Sequence, residues 1–492
     1  MNKILLINPP WNRLFGESAL IFPLGLSYIA GVLEEHGFDV SVYNADFVAG
    51  RGRPLGRWYR SRATKYNDYL HILNDINHPL WQEIEAVISQ QSPDIVGISV
   101  TTPKYGSALN VGKLVKKIDP DIPVVFGGVH PTTLPEETLK NKEVDIVVRG
   151  EGEYTFLDLV ENVDKLHNVP GISYKERGKI IHNIDRPLIQ NLDELPFPAK
   201  HLWLEKDKYS PESFGEISAS RGCPYKCIFC ASHLLWTRKV RYRSPENVVN
   251  EIKHTQETFG TYLFRFADDS FNLNKKFVED FCNLLIEEKV DIAWKCGVRA
   301  ELIYDDLIKK MKSAGCKMVL MGIESGNNDT LKKIKKGITI EQVKNADKVL
   351  KANKMRSVHY FMLFPWETKE EIDNTISVIK ELYADTTVIS VAVPFPGTEL
   401  YDMCKSEGRL PREIDWATFF PQSPDMLSLN KNFTTEEFLQ LIKEVERVVG
   451  GYNKKKRRKS LLSDSAYFIK VAMRAKYKPR DLWALFRSYF WE

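Results

Sequence analysis

Along the first 165 positions, apolar residues fall in short unbroken runs that alternate with stretches of helical spacing. "KILLIN" (3–8), "DVSVY" (39–43), "DIVGISV" (94–100), "PVVFGG" (123–128) and "VDIVVRG" (144–150) read as strands. Continuous apolar runs of this length suit strands covered on both faces. Between them, "LGLSYIAGVLEEHG" (24–37), a run from Gly106, a shorter one from Leu134 and a last one from Glu153 read as helices, with Gly37 as a stop signal. Residues 47 to 80 form an irregular, aromatic and basic insertion. Five strands separated by helices predict an α/β domain over residues 1–165, built on a parallel, doubly wound sheet. Ligands of such sheets bind beyond the carboxyl ends of the strands. The segments there are "NPPW" (8–11), "SVTTP" (99–103), "GGVHP" (127–131) and "RGEGE" (149–153).

Periodicity weakens over residues 166–212, where "LDELPFPAKHLW" (192–203) reads as a Pro-rich linker. A second alternating series then spans residues 213–410. Its strand runs are "EISAS", "TYLFRFAD", "DIAWKCG", "KMVLMGI", "SVHYFMLF" and "TTVISVAV", with helical runs such as "PENVVNEIKHTQETF" between them. Six β/α units predict a partial (β/α)6 barrel of the TIM type, whose reactive end lies at the carboxyl ends of its strands. "PFPGTELYD" (394–402) is expected to shape the barrel mouth through its turn. Residues 411–492 read as a mainly helical third region.

Composition narrows the function only a little. The chain has 492 residues, 43% hydrophobic and 27% charged, which is ordinary for a globular protein of two or three domains. A net charge of +4 does not call for nucleic acid, and none is expected as a partner. The first residues lack a signal peptide's apolar region, and the longest nearly apolar run, "ALIFPLGLSYIAGVL", is too short to span a bilayer. A cytoplasmic location is the expectation. The seven cysteines are odd in number, three of them clustered, which fits a reducing compartment and a metal centre better than a disulfide framework. The glycine fingerprint of nicotinamide-binding domains is absent after the early strands.

The cluster is "RGCPYKCIFCASH" (221–233), directly after the first barrel strand. Cys223, Cys227 and Cys230 at C-x3-C-x2-C spacing can converge on one metal centre. Structural zinc takes four ligands, and so does an ordinary four-iron cluster. Either His233 completes a Cys3His zinc site, or one position stays open. The location at the reactive end of a barrel favours the open site.

In spacing, and in the aromatic Phe229 before the third cysteine, this segment resembles the cluster loop of the radical S-adenosylmethionine (SAM) superfamily. The resemblance implies that Cys223, Cys227 and Cys230 hold a four-iron four-sulfur (4Fe-4S) cluster whose open iron binds SAM, and that His233 is a loop residue. It also implies that an electron from the cluster cleaves SAM to a deoxyadenosyl radical, and that an external donor such as flavodoxin or ferredoxin supplies that electron. Further strand ends resemble the same superfamily. Asp268 and Asp269 in "FADDSFN" (266–272) stand where relatives contact the methionine part of SAM. Arg299 in "GVRAE" (297–301) can pair with a carboxylate, and Glu324 in "GIESGN" (322–327) stands where the superfamily uses a carboxylate on the ribose. "FPWET" (364–368) takes the place of a Gly-Pro-Gly-Glu-Thr type turn, with Trp366 in a glycine's position.

Joined to such a barrel, the first domain resembles the Rossmann-like cobalamin-binding domain of the cobalamin-dependent radical SAM subfamily. "INPPW", "PLGLSYIAGVLEEHG", "DIVGISV", "GGVHPT" and "DIVVRGEGE" carry the likeness. It implies that Gly127 and Gly128 pass the nucleotide tail of cobalamin, with Ser99, Thr101 and Thr102 as polar contacts. The Asp-x-His-x-x-Gly loop of cobalt-ligating domains has no match after the first strand, so the lower face of cobalt is expected to lack that histidine, and His130 to serve its loop. The reaction implied is hydrogen abstraction from an unactivated carbon of a small-molecule substrate, followed by transfer of a methyl group from cobalamin. Radical cyclisation or ring rearrangement without methyl transfer is the alternative within the subfamily. A cobalamin-binding sensor or electron carrier is the more distant one.

The final 40 residues differ from the rest. From Asn453 to Glu492 twelve Lys or Arg face three Asp or Glu, an excess of nine. "KKKRRK" (454–459) precedes a stretch where Leu462, Ala466, Ile469 and Met473 recur at helical spacing, followed by "RDLWALFRSYFWE". Such a segment suits a peripheral membrane anchor, which makes the substrate a lipid or another apolar molecule. It equally suits an apolar stripe packed on the barrel beside a solvated basic run.

Overall fold

The structure is a computed structural model that describes residues 2–18, 23–49 and 64–460. Strands β1 (Lys3–Asn8), β2 (Asp39–Asn44), β3 (Ile95–Ser99), β4 (Val124–Gly127) and β5 (Ile146–Val148) pair in parallel in the order β2-β1-β3-β4-β5. Side chains alternate across a strand, and both faces of this sheet are covered. Ile4 and Leu6 of β1 join the helices Leu24–Glu35 and Glu153–Glu161 in one core, while Leu5 and Ile7 join Pro79–Gln91 and Tyr105–Ile118 in another. This double covering is why the strands read as unbroken apolar runs.

Two segments differ from the sequence expectation. In the stretch read as a linker, β6 (Ile172–Glu176) and β7 (Lys179–His182) extend the first sheet as an antiparallel pair. Arg177 and Gly178 both take positive φ, 47° and 77°, which is the two-residue turn that matches strand twist. Within the insertion, Tyr66–Asn74 form a helix that buries Tyr69 and Leu73, one turn apart, against the first domain.

The second sheet is formed by β8 (Glu216–Ile217), β11 (Leu263–Phe266), β12 (Ala293–Val298), β13 (Cys316–Glu324), β14 (Arg356–Leu363) and β15 (Thr386–Val391). All six run parallel in sequence order, the open barrel expected. A short antiparallel pair, β9 (Ser220–Arg221) with β10 (Arg241–Tyr242), stands at its edge. One face, with Phe264, Trp294, Val319 and Phe361, is sealed by helices, while most of the alternate residues keep partial exposure, Met318 and Val358 being among the exceptions.

The third region joins the other two. Trp416, Phe419 and Phe420 enter the first domain's core, with Phe420 edge-on to Trp11 at 4.8 Å and the Tyr69 hydroxyl donating to the Ala417 carbonyl at 2.6 Å. Phe438, Leu441, Ile442 and Val445 of the Thr435–Ser460 helix enter the barrel's core. No helix among the described residues is long and apolar enough to cross a membrane. Of the segment Asn453–Glu492 on which the membrane-anchor reading rests, "KKKRRK" (454–459) closes the Thr435–Ser460 helix, and residues 461–492 lie outside the described residues.

Candidate functional site

The three clustered cysteines sit on the loop between β9 and the helix Ser232–Trp236. Strand-end side chains hold this loop from several sides. Asp268, just beyond β11, accepts from the Ala219 amide at 3.1 Å and from the Ser220 hydroxyl. Its neighbour Asp269 accepts from the Ser232 hydroxyl at 2.6 Å. The Arg299 guanidinium, just beyond β12, lies 3.3 Å from the centre of the Tyr225 ring, and also binds Glu301 and the Lys336 carbonyl. The Ile228 amide donates to the Ile334 carbonyl at 3.1 Å. Asp268, Asp269 and Arg299, expected as SAM contacts, also brace the cysteine loop. Burial holds the Asp268 carboxyl up, at about 6, against the pull of its hydrogen bonds.

All three cysteines are free thiols. Burial pushes Cys230 up to about 11 and Cys223 upward as well, so thiolates form there once a metal centre stabilises them. Among the described residues, no three His, Cys, Asp or Glu side chains converge as ligands of a single ion would. An iron–sulfur cube takes one thiolate per iron and needs thiolates set apart around it, which a loop carrying three free cysteines can provide. His233 directs Nδ1 to the Cys230 carbonyl at 3.0 Å. Phe229 packs toward Phe364, ring centres 5.9 Å apart, and so braces the loop against the barrel.

Glu324 ends β13 with φ 76°, a left-handed conformation unusual for a side-chain-bearing residue, where the pairing with β14 slips. Strain of this kind is kept where the site requires it. The Lys336 ammonium donates to Glu324 at 2.7 Å, and both are nearly buried. Lys336 carries no sequence signal, because its role depends on a turn 12 residues downstream. In "FPWET", Glu367 is buried, accepts from the Phe364 amide at 2.8 Å, and burial raises its carboxyl to about 7. Trp366 stacks on Phe364, with the Lys333 ammonium 3.9 Å above the indole.

At the carboxyl ends of β3, β4 and β5 lies a cavity of about 240 Å³. Ser99, Thr101, Gly127 and Gly128 line it, with Gly25, Gly150 and Phe156. Gly128 has φ 105°, and a Cβ there would stand 2.7 Å from the Val100 carbonyl oxygen, so no other residue fits. Gly25 and Gly150 face open space that side chains would fill. This polar-edged cradle of backbone suits the nucleotide tail of a cobalamin. Thr102 is absent from the lining, unlike the expectation. It opens a 3-10 turn with Pro103 that rolls it inward, where its hydroxyl meets His130 Nδ1 at 3.2 Å. His130 is fully buried between the rings of Tyr105 and Trp416 and held neutral, its pKa lowered to about 3 by burial.

Leu235 and Trp236 form the far wall of this cavity. They belong to the helix that leaves the cysteine loop, so the two sites share a structural element. A buried ionic network reinforces the junction. Arg221, two residues before Cys223, pairs with Glu151 at 2.7 Å and Glu153 at 2.6 Å, and Arg241 pairs with Glu151 at 2.8 Å. Arg221 also lies 5.0 Å from the Trp236 ring centre. "RGEGE" was visible as a strand-end segment, but its arginine partners, about 70 and 90 positions away, leave no local pattern.

Comparison with known proteins agrees with this layout. Residues 19–160 match the B12 binding domain and residues 217–379 the Radical SAM superfamily. The chain is 36% identical to the uncharacterized methyltransferase PH0819 of Pyrococcus horikoshii, over 81% of this chain and 87% of that protein. It is 30% identical to the anaerobic magnesium-protoporphyrin IX monomethyl ester cyclase of Rubrivivax gelatinosus, over 72% of this chain and 66% of the cyclase. Among solved structures, the cobalamin-dependent SAM radical enzyme OxsB, with aqua-cobalamin and SAM bound, shares the fold at a TM-score of 0.66 and 16% identity, covering 100% of this chain and 80% of OxsB. With a 4Fe-4S cluster, SAM and cobalamin as its cofactors, the chain belongs to the cobalamin-dependent radical SAM enzymes.

Proposed function

We propose that this enzyme methylates an unactivated carbon of a small molecule held at the mouth of the barrel. The observation that carries the reading is the shared helix Ser232–Trp236, which starts at the cysteine loop and ends as a wall of the glycine-lined cavity. Bound there, the cluster with SAM supplies a radical and cobalamin supplies the methyl group. Cys223, Cys227 and Cys230 hold the cluster with one iron left open. Glu324, fixed by Lys336, receives the SAM ribose, and Gly127, Gly128, Ser99 and Thr101 receive the cobalamin tail. Asp268, Asp269, Arg299 and Phe229 keep the cysteine loop in place around the cluster. Similarity to the Pyrococcus methyltransferase over most of its length supports methyl transfer.

The relation to the Rubrivivax cyclase favours a second reading, radical cyclisation without methyl transfer. Anaerobic reconstitution with SAM, cobalamin and reductant separates the two. Deoxyadenosine together with S-adenosylhomocysteine supports methyl transfer, and deoxyadenosine alone supports cyclisation. An external flavodoxin or ferredoxin as electron donor, and a membrane-held lipid as substrate, belong to the same proposal. Cosedimentation with anionic liposomes, comparing the full chain with one ending at Gly451, tests the latter. Equal binding by both removes the anchor.

A further inference from the structure

The inward face of the second sheet carries charge at its base. Register places Glu216, Arg265, Lys295, Met318 and Arg356 side by side at one height near the amino ends of the strands. Above them the same face is small or apolar, with Gly297, Leu320 and Val358, then Gly322, Tyr360 and Val388. Tyr360 keeps 36% of its surface accessible, although it lies mid-strand between two neighbours. A side chain so placed stays accessible only if it faces a hollow. The barrel therefore leaves open space at Tyr360, between a charged floor and a rim formed by Asp268 and Glu324.

Arg265 stands out on that floor. Among the described residues its guanidinium makes no hydrogen bond and no close ion pair; it feels the Glu216 carboxyl and the Tyr360 hydroxyl only through space. Burial pushes the Glu216 carboxyl upward while Arg265 pulls it down through space, and Oε2 has no hydrogen-bond partner. A partly exposed guanidinium that faces a hollow with no hydrogen-bond partner of its own keeps its donors free for an anion entering that hollow.

We propose that Arg265, assisted by the Tyr360 hydroxyl, binds an anionic group of the substrate, a carboxylate or a phosphoryl or phosphonyl group. The substrate is thereby oriented with its reacting carbon toward the rim. This deepens the proposed function and rests on its placing of the substrate in the barrel. Arg265 lies three residues below Asp268, about 10 Å at the usual strand rise. The substrate's anionic group and reacting carbon are therefore separated by no more than a short spacer.

The test is calorimetric titration of the enzyme loaded with cluster, cobalamin and SAM, using methylphosphonate, propionate and the neutral control propanol. At least one anion is expected to bind while propanol does not, and the preferred anion separates the phosphonyl from the carboxylate class. Arg265→Gln is expected to weaken binding by about tenfold or more, with Arg265→Lys intermediate. Iron content and cobalamin absorbance are expected to match the parent in both variants, which shows that they fold. Binding of neither anion, or equal binding by Arg265→Gln, overturns the proposal even if S-adenosylhomocysteine is formed. Arg265-dependent binding in an enzyme that forms no S-adenosylhomocysteine supports the floor site and removes methyl transfer instead.

Discussion

Replacing Glu151 with Gln takes one negative charge out of a buried set of two arginines and two glutamates. Glu151 accepts from Arg221 at 2.7 Å, from Arg241 at 2.8 and 3.0 Å, and from the Ile189 amide at 2.7 Å. The side chains of Glu151 and Arg241 are each 3% exposed. Removing one partner of a buried pair costs about 3–5 kcal/mol, chiefly from the charge left behind. Here two guanidinium groups lose a partner, and Arg241 already has Nε and Nη2 without hydrogen bonds, so the upper part of that range applies. At about 1.4 kcal/mol per tenfold, the junction opens on the order of one thousand- to several-thousandfold more often. Melting should fall by roughly 10 °C if a unit of about 200 residues responds. Calorimetry with and without cobalamin, and amide exchange over residues 219–236, read these effects. Adding Arg241→Gln should recover part of the loss by restoring charge balance. A Glu151→Gln protein that melts and exchanges like the parent, or a double variant whose losses simply add, refutes the claim that the network holds the two domains together.

Alanine at Cys223, Cys227 or Cys230 should remove iron–sulfur absorbance and deoxyadenosine formation, whereas His233→Ala should keep its iron. Gly127→Val should fold normally, because the nearest atom to a new Cβ is 3.8 Å away, yet fill the cavity and weaken cobalamin binding in a spectroscopic titration. Glu324→Gln should raise the Kd for SAM by about 10- to 100-fold, the worth of a charged hydrogen bond, measured by equilibrium dialysis. Glu367, at about 7 when folded against an ordinary 4.5, holds a proton that the unfolded chain has released. Stability should therefore fall as pH rises from about 4.5 to about 7, and Glu367→Gln should flatten that slope in melting curves taken across the interval.

Strands buried on both faces announced themselves, since β1 and β3 can only be apolar throughout when helices cover both sides. The cysteine spacing was equally plain, because a single loop carries all three thiols. The β6–β7 pair escaped notice because its strands are short, and β7 is only half covered. The inward turn of Thr102 has no sequence signal, because one residue of 3-10 turn separates a cavity-facing hydroxyl from an inward one. Asp268 and Asp269 were located correctly at a strand end. Their bonds to Ala219, Ser220 and Ser232, however, span 37 to 49 positions, and no periodicity reports such distances. Lys336 and the Arg221–Glu151 network are invisible for the same reason.

The bond from Tyr69 to Ala417 joins residues 348 positions apart. A ribosome adding about 5–20 residues per second needs roughly 20 to 70 s to cover that span. During this interval Trp11, Phe15 and Tyr69 are already synthesised, but Phe420, which packs edge-on against Trp11, Phe15 and Tyr69, does not yet exist. The first domain thus emerges with an aromatic patch uncovered until the barrel has been made. Its nascent form is therefore the stage of this chain most in need of a chaperone, and a chain truncated before residue 416 keeps that exposure for good.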